Sequence, residues 1–283
     1  MNVLEHFKPV PTWTVDELKE FLDRSNPDDY TLLDVRELQD YERKHLPGAR
    51  PIPLGELEER HGELDPQKPT IVYCHSGPGS RAAAAILSHA GFRQVVGLKG
   101  GLRAWNGLAA EGAPASGIAS FAAARSPEEC IALAWHLESG TRRFYEAMAE
   151  KFDPRVAETL FLELTAAESQ HQRMLAALYE GLTKKKPDRD FPAGLLAEEP
   201  SVATMEGGIL LEEALAWSEG KTLGEILELA VGVEANAYDR YLCLRRELKD
   251  ENARRIFEVL SDEEKRHLKK LIHLRDHFGA AAE

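Results

Sequence analysis

The feature that most constrains this sequence is an internal repeat in its second half. An offset of 96 residues, the distance from Glu138 to Glu234, brings two stretches into register. Each stretch has a lone glutamate followed 30 residues later by a Glu-x-x-His motif. The matched pairs are Glu138 with Glu234, Tyr145 with Tyr241, Phe161 with Phe257, Leu164 with Leu260, Glu168 with Glu264, His171 with His267, and Leu175 with Leu271. A chemical motif duplicated in register predicts two structural halves that build one site.

The Glu-x-x-His spacing predicts that the two copies bind metal. Residues i and i+3 of a helix lie on one face, so Glu168 and His171 present a carboxylate and an imidazole together. Leucines one turn away on both sides, Leu164 and Leu175, turn this face toward the core. Buried carboxylates need compensating cations, and two divalent ions would balance four glutamates. The alternative is that these are ordinary exposed helix residues, which a single Glu-x-x-His motif would favour.

Helical periodicity runs through almost everything after residue 126. Long helices are predicted at 126–151, 154–181, 222–248 and 251–278, with Ser126 as the N-cap of the first. The long connection between the second and third helices contains a shorter amphipathic piece at 207–217 and predicts a crossover rather than a simple hairpin. We therefore expect an all-α four-helix bundle over 126–283, preceded by a linker over 113–125.

The bundle resembles the rubrerythrin and ferritin-like family over roughly residues 126–278, on its duplicated lone Glu and Glu-x-x-His. The resemblance implies two metal ions, iron first with manganese or zinc as alternatives, an external electron donor, and oxygen or peroxide as substrate. Two differences stand out. The three cysteines cannot build the four-cysteine iron site that rubrerythrins carry, and Ala237 stands where the family has a further glutamate. The implied ligands are Glu138, Glu168, His171, Glu234, Glu264 and His267, with Glu168 and Glu264 bridging. Tyr145 and Tyr241 either hydrogen-bond a ligand or relay electrons, or they are plain core tyrosines.

The first 112 residues alternate short β-rich runs with helical stretches, which is typical of an α/β domain with a mostly parallel sheet. One such run, at 70–74, ends in Cys74 and is followed by a glycine-rich loop and a helix. A thiolate at a helix N-terminus, among backbone N–H groups, is stabilised. Cys74 is therefore the predicted nucleophile, whereas Cys130 and Cys243 are interpreted as packing residues.

This first region resembles the rhodanese family over about residues 10–112. The resemblance is carried by LLDVRE (32–37), HLPGARPIPLGEL (45–57), the YCHSGPGSRAAAA loop (73–85) and GGLRAW (100–105). It implies that Cys74 accepts sulfane sulfur as a persulfide and passes it on, with Asp34 and Arg36 supporting the site. A Cys-x5-Arg phosphatase is the alternative, but the sixth residue after Cys74 is Ser80. The substrate-binding loop is His75, Ser76, Gly77, Pro78, Gly79, Ser80 and Arg81.

Composition narrows the function further. A formal net charge of −13 argues against nucleic-acid binding, which requires a basic surface. No apolar run is long enough to cross a bilayer, and no secretory signal is visible at the N-terminus, so we expect a cytoplasmic protein without a membrane partner. The working hypothesis is a sulfurtransferase-like domain fused to a di-iron redox domain, with a homodimer as an open alternative. The competing hypothesis is a metal-binding or oxidant-sensing module with a rhodanese-like regulatory domain.

Overall fold

A computed structural model describes residues 10–113, 124, 126–152, 159–196 and 202–279 of the chain. The chain divides into two compact units, Met1–Pro114 and Ala115–Glu283. Most of the linker expected at 113–125 and the predicted start of the second bundle helix at 154 lie outside the described residues. Each unit has its own hydrophobic core.

The first unit is built on a parallel five-stranded sheet in the order β1-β5-β4-β2-β3. The central strands read as continuous apolar runs because helices cover both faces of a parallel sheet. All residues of β2, β4 and β5 are buried. The strands are β1 (Thr12–Trp13), β2 (Thr31–Asp34), β3 (Arg50–Pro51), β4 (Thr70–Tyr73) and β5 (Val95–Leu98). The predicted α/β class with a parallel sheet is confirmed.

Five helices surround this sheet within residues 10–113. Helix α1 begins with a capping box in which Thr14 and Glu17 satisfy each other's backbone N–H groups. Helix α4 begins at Pro78, earlier than the sequence predicted, because proline suits the first turn of a helix. Pro78 to Arg81 therefore lie in the helix and not in the preceding loop. The helices are α1 (Val15–Arg24), α2 (Leu38–Arg43), α3 (Leu57–Arg60), α4 (Pro78–His89) and α5 (Gly101–Ala104), with short 3-10 turns at Pro27–Asp29, Leu54–Glu56 and His61–Glu63.

In the described parts of the second unit, four long helices and one short helix are present. Ser126 caps the first, with its side chain accepting from the Glu129 N–H, as predicted. Thr222 and Glu225 form a capping box at the start of the third. The helices are α6 (Pro127–Lys151), α7 (Thr159–Thr183), α8 (Leu211–Ser218), α9 (Leu223–Glu247) and α10 (Glu251–Gly279). Helix α6 packs on α7, α9 packs on α10, and α10 also contacts α6 and α7, which confirms the ferritin-like bundle.

The connection between α7 and α9, residues 184–222, is called the crossover segment below. Its predicted helix at 207–217 starts instead at Leu211, and Glu206–Gly208 forms a separate 3-10 turn. The reason is that Gly207 and Gly208 adopt positive φ values of 71° and 79°, which interrupt a right-handed helix. An isolated bridge between Thr204 and Leu210 closes this turn.

None of the helices in the described parts of the chain combines the length and apolar character that crossing a bilayer requires.

Candidate metal centre and cysteine loop

The six side chains predicted as metal ligands converge inside the bundle. All four glutamates are fully buried, and the two histidines are almost so. Helices α6 and α9 supply the lone glutamates, and α7 and α10 supply the Glu-x-x-His pairs. Helical spacing places each Glu one turn from its His, and the bundle brings the four faces together. The six side chains, which could hold metal ions, are Glu138, Glu168, His171, Glu234, Glu264 and His267.

Two groups of three, related by the internal repeat, could each hold one ion. One comprises Glu138, His171 and Glu264; the other comprises Glu234, His267 and Glu168. Within each group the ligand atoms lie within 4.8 Å of one another. Each group thus takes the lone glutamate and histidine of its own half and the Glu-x-x-His glutamate of the other half.

Glu168 and Glu264, which the sequence predicts as bridging ligands, each lie near the histidine of the other half. Glu168 Oε2 is 3.6 Å from His171 Nδ1, and its Oε1 is 3.5 Å from His267 Nδ1. Its two carboxylate oxygens therefore face different histidines. Glu264 Oε1 lies 3.4 Å from His171 Nδ1, across from its own half. The lone Glu138 contacts the histidine of its own half, with Oε2 lying 2.9 Å from His171 Nδ1.

The donor set fits a pair of hard or borderline cations. Several buried oxygens and nitrogens of the cluster have no hydrogen-bond partner among the residues that the structure describes, although buried polar atoms in proteins are nearly always paired. Burial and mutual repulsion raise the pKa values of Glu138, Glu168 and Glu264 well above the usual range. Carboxylates with imidazoles suit iron, manganese or zinc. The atoms without a partner are Glu138 Oε1, both oxygens of Glu168 and of Glu264, Glu234 Oε2, and both ring nitrogens of His267.

The carboxylates act strongly on the two histidines. Burial opposes the imidazolium form, but the surrounding carboxylates, Glu168 first, raise the pKa of His171 to about 9. Glu234 outweighs burial in the same way and raises the pKa of His267 to about 9. Without metal, protons on these groups therefore take the role of the cations.

The two repeated tyrosines both donate to carboxylates. The Tyr145 hydroxyl donates to Glu234 Oε1 at 2.7 Å, and the Tyr241 hydroxyl donates to Glu206 Oε1 at 2.8 Å. Glu206 was missed at the sequence level, because it lies in the crossover segment and has no partner in the repeat. It is fully buried and joins two further groups of ligand atoms, one with Glu138 and Glu168 and one with Glu234 and Glu264. The only local signal was the Gly-Gly pair that follows it.

In the first unit, Cys74 lies directly after β4, where the chain turns toward α4. The Gly77 N–H donates to Cys74 Sγ at 3.0 Å, and Gly77 needs its positive φ of 111° to do so. Burial opposes the thiolate, but backbone amides of Ser80, Gly77 and Ser76 lower the pKa of Cys74 below its usual value. The thiol is 7% exposed. The loop amides therefore favour the thiolate form of a largely buried Cys74.

Glycine at position 79 keeps space beside the sulfur. A Cβ atom there would lie 3.2 Å from Cys74 Cβ and 3.4 Å from Sγ. Helix α5 closes the other side, because the N–H groups of Leu102 and Arg103 donate to the carbonyls of Cys74 and His75. Among the remaining loop residues, Ser80 is buried and donates to the Gly77 carbonyl, whereas His75, Ser76, Pro78 and Arg81 are exposed.

The predicted supporting pair forms a buried ion pair at the end of β2. Arg36 Nη2 lies 2.5 Å from Asp34 Oδ2 and also donates to the Lys44 carbonyl at 2.7 Å. The Arg36 guanidinium lies over the ring of Tyr73, the residue before Cys74, at 5.8 Å from its centroid. The pair thus connects the end of β2 to Lys44 and to the ring of Tyr73, the residue before Cys74.

Fold and site together define a chain that joins a cysteine-loop α/β domain to a bundle with a carboxylate and histidine centre. Family models match both parts: a rhodanese-like domain at residues 14–108, and rubrerythrin at residues 129–204 and 225–283. The chain is therefore a fusion of a rhodanese-like domain with a rubrerythrin domain, as the sequence predicted.

Individual relatives match a smaller share of the chain. YrkF of Bacillus subtilis, named as a sulfur carrier protein, is 36% identical over 103 residues, which is 36% of this chain and 55% of that protein. The thiosulfate sulfurtransferase GlpE of Coxiella burnetii is 35% identical over 77 residues, 27% of this chain and 72% of that protein. A solved rhodanese-related protein from Thermoplasma volcanium is 30% identical and covers 34% of this chain and 89% of its own, with a TM-score of 0.30. The chain thus spans little more than half of the first of these relatives.

Proposed function

We propose that this protein is a sulfurtransferase joined to a di-iron redox centre, with Cys74 as the sulfur carrier. The observation that carries the proposal is the amide cradle of Cys74, which favours an anion at Sγ. A persulfide, Cys–S–S⁻, carries its negative charge on the outer sulfur, one S–S bond away from the Sγ that the amides contact. The donor of sulfane sulfur would be a small molecule such as thiosulfate, because the similar protein GlpE is named a thiosulfate sulfurtransferase. The acceptor would be a small molecule as well.

The sulfur step needs no metal. The Cys74 thiolate attacks the outer sulfur of thiosulfate, an S–S bond forms at Cys74, and the S–S bond of thiosulfate breaks to release sulfite. A nucleophile such as cyanide then takes the terminal sulfur, and the thiolate is regenerated. Backbone N–H groups that stabilise Sγ as an anion make it a good leaving group in this second transfer.

In the bundle, four glutamates and two histidines would hold two iron ions, as the rubrerythrin match implies. Bound iron would supply electron transfer to oxygen or peroxide. The protein's own groups shape this chemistry: the buried walls exclude water, and Tyr145 fixes the orientation of the Glu234 carboxylate. The three cysteines are all buried and free, so an external donor would deliver the electrons.

A thiocyanate-forming assay tests the first half of the proposal. With thiosulfate and cyanide, the full chain should turn over and Cys74→Ala should not. Cys130→Ala is the matched control, because it removes a buried bundle thiol and should leave the rate unchanged. Equal rates for the full chain and Cys74→Ala would remove Cys74 from the reaction.

Anaerobic loading with ferrous iron, followed by a pulse of oxygen or peroxide, tests the second half. An oxidoreductase should consume the oxidant over repeated cycles when an electron donor is supplied, and Glu168→Ala and Glu264→Ala should lose this activity. Tight iron binding without repeated consumption would instead favour the metal-binding or sensing function.

A further inference from the structure

We propose that Glu206 is a seventh protein ligand of the metal centre, supplied through Oε2 by the crossover segment. The inference rests on the proposed two-metal centre and goes beyond its ligand set. The rubrerythrin match leaves out residues 205–224, so the family comparison assigns nothing to Glu206. The repeat leaves it out as well, because residue 206 lies between the two copies.

The contacts of Glu206 leave one oxygen for a metal ion. Its side chain is fully buried, and its Oε1 accepts from the Tyr241 hydroxyl at 2.8 Å. Its Oε2 is buried and has no hydrogen-bond partner among the described residues. A buried carboxylate oxygen without a partner is costly, and a cation beside it removes that cost.

The backbone around Glu206 is built to hold it against the cluster. Its N–H donates to Thr141 Oγ1 on α6 at 3.0 Å. Gly140 lets the turn approach α6, since a Cβ there would lie 2.2 Å from the Thr204 carbonyl oxygen. Gly207, in the turn itself, allows a similar approach to α9, since a Cβ on Gly207 would lie 3.0 Å from the Val233 carbonyl oxygen. Gly140 in α6 and Gly207 in the turn thus let the turn pack closely against both helices.

Glu206 has ligand atoms of both halves within reach. Its carboxylate lies within 4.8 Å of ligand atoms of Glu138 and Glu168 in one group and of Glu234 and Glu264 in another. It therefore faces both metal positions. Ala237, three residues after Glu234 and on the same face of α9, is buried and offers no carboxylate of its own.

Glu206 also breaks the symmetry of the repeat. Tyr145 of the first half donates to Glu234 of the second half. The repeat-related bond would run from Tyr241 to Glu138, but Tyr241 donates to Glu206 instead. The two halves are consequently unequal. With Glu206 the site has five carboxylates, and their total negative charge exceeds the positive charge of two divalent ions by one. The extra anion favours a more highly charged pair of ions.

Titration of the metal-free full chain with Co(II) tests this assignment. Affinity is measured by competition with a chromophoric chelator, and the intensity of the visible Co(II) bands reports coordination number. Glu206→Gln keeps the shape and removes the charge, and Glu206→Ala removes the carboxylate altogether. Glu212→Gln is the matched control, because it removes an exposed glutamate from the same segment. Helical circular dichroism checks that each variant is folded.

We expect wild type and Glu212→Gln to bind two Co(II) ions with the same spectrum. Both Glu206 variants should bind at least one ion about 10- to 100-fold more weakly, since even outer-shell partners of a metal contribute that much. Their visible bands should intensify as coordination number falls. If both Glu206 variants are folded and bind Co(II) with the affinity and spectrum of wild type, the assignment of Glu206 is overturned, while the two-metal centre stands. Failure of wild type to bind Co(II) would overturn the two-metal centre and the assignment with it.

Discussion

Replacing Gly140 by alanine should loosen the turn that carries Glu206. The added Cβ would lie 2.2 Å from the Thr204 carbonyl oxygen and 2.7 Å from its carbonyl carbon. Ordinary contact begins at about 3.4 Å, so the turn or the helix must move by roughly 1 Å. Both neighbours are backbone atoms, which cannot rotate out of the way as a side chain would.

The expected magnitude follows from two opposing effects. Overpacking of this kind costs about 1–3 kcal/mol, whereas exchanging glycine for alanine inside a helix gains roughly 0.5–1 kcal/mol. Gly232→Ala in α9 is the matched control, because a Cβ there meets nothing within 4 Å. Gly232→Ala should therefore show only the gain in the free energy of unfolding that alanine brings to a helix. The difference between the two variants therefore isolates the steric cost, about 1–3 kcal/mol.

Urea unfolding of the metal-free full chain, followed by helical circular dichroism, measures this difference. Gly140→Ala should unfold at lower urea than Gly232→Ala and should also bind Co(II) more weakly. Equal stabilisation by the two substitutions would refute the close packing of the turn on α6. Weakened stability with unchanged Co(II) affinity would keep the packing but separate it from the metal site.

Three further predictions concern charge. Asp34→Asn leaves the buried Arg36 without its counter-charge and should destabilise the first domain by about 3–5 kcal/mol. Thermal unfolding measures this loss, and an unchanged midpoint would deny the pair a structural role. Iodoacetamide at neutral pH should modify Cys74 alone, because the pKa of Cys74 is lowered, whereas burial raises the pKa of Cys130 to about 11 and that of Cys243 to about 12. Mass spectrometry measures the labelling, and equal labelling of the three cysteines would contradict this. At pH 7 both metal-site histidines, with pKa about 9, are mostly protonated, so metal binding should release about two protons or more and tighten as pH rises toward 9. Calorimetry in buffers of different ionisation enthalpy measures this release, and a value near zero would refute it.

The convergence of the six buried side chains could be predicted from sequence because helix geometry is local. The i, i+3 relation of Glu168 to His171 holds in any helix, and the repeat supplies the second copy. Leucines one turn away indicated which face is buried. The same reasoning placed Cys74 among backbone amides, since a strand, a glycine-rich loop and a helix follow one another directly in the sequence.

Glu206 could not be predicted in this way. Its position depends on an irregular turn, on positive φ at Gly207, and on a close approach to α6 that Gly140 permits. These are tertiary relations between residues far apart in the chain. The hydroxyl bonds of Tyr145 and Tyr241 are of the same kind, because they cross between elements that helical periodicity treats separately.

The central claim is that side chains of four helices enclose two metal ions inside the bundle. Anomalous diffraction from crystals of the iron-loaded full chain tests this most directly. Two anomalous peaks should lie between α6, α7, α9 and α10, with Glu168 and Glu264 each contacting both. A folded bundle with no anomalous peak among these residues, or with their carboxylates turned out to solvent, would contradict the account.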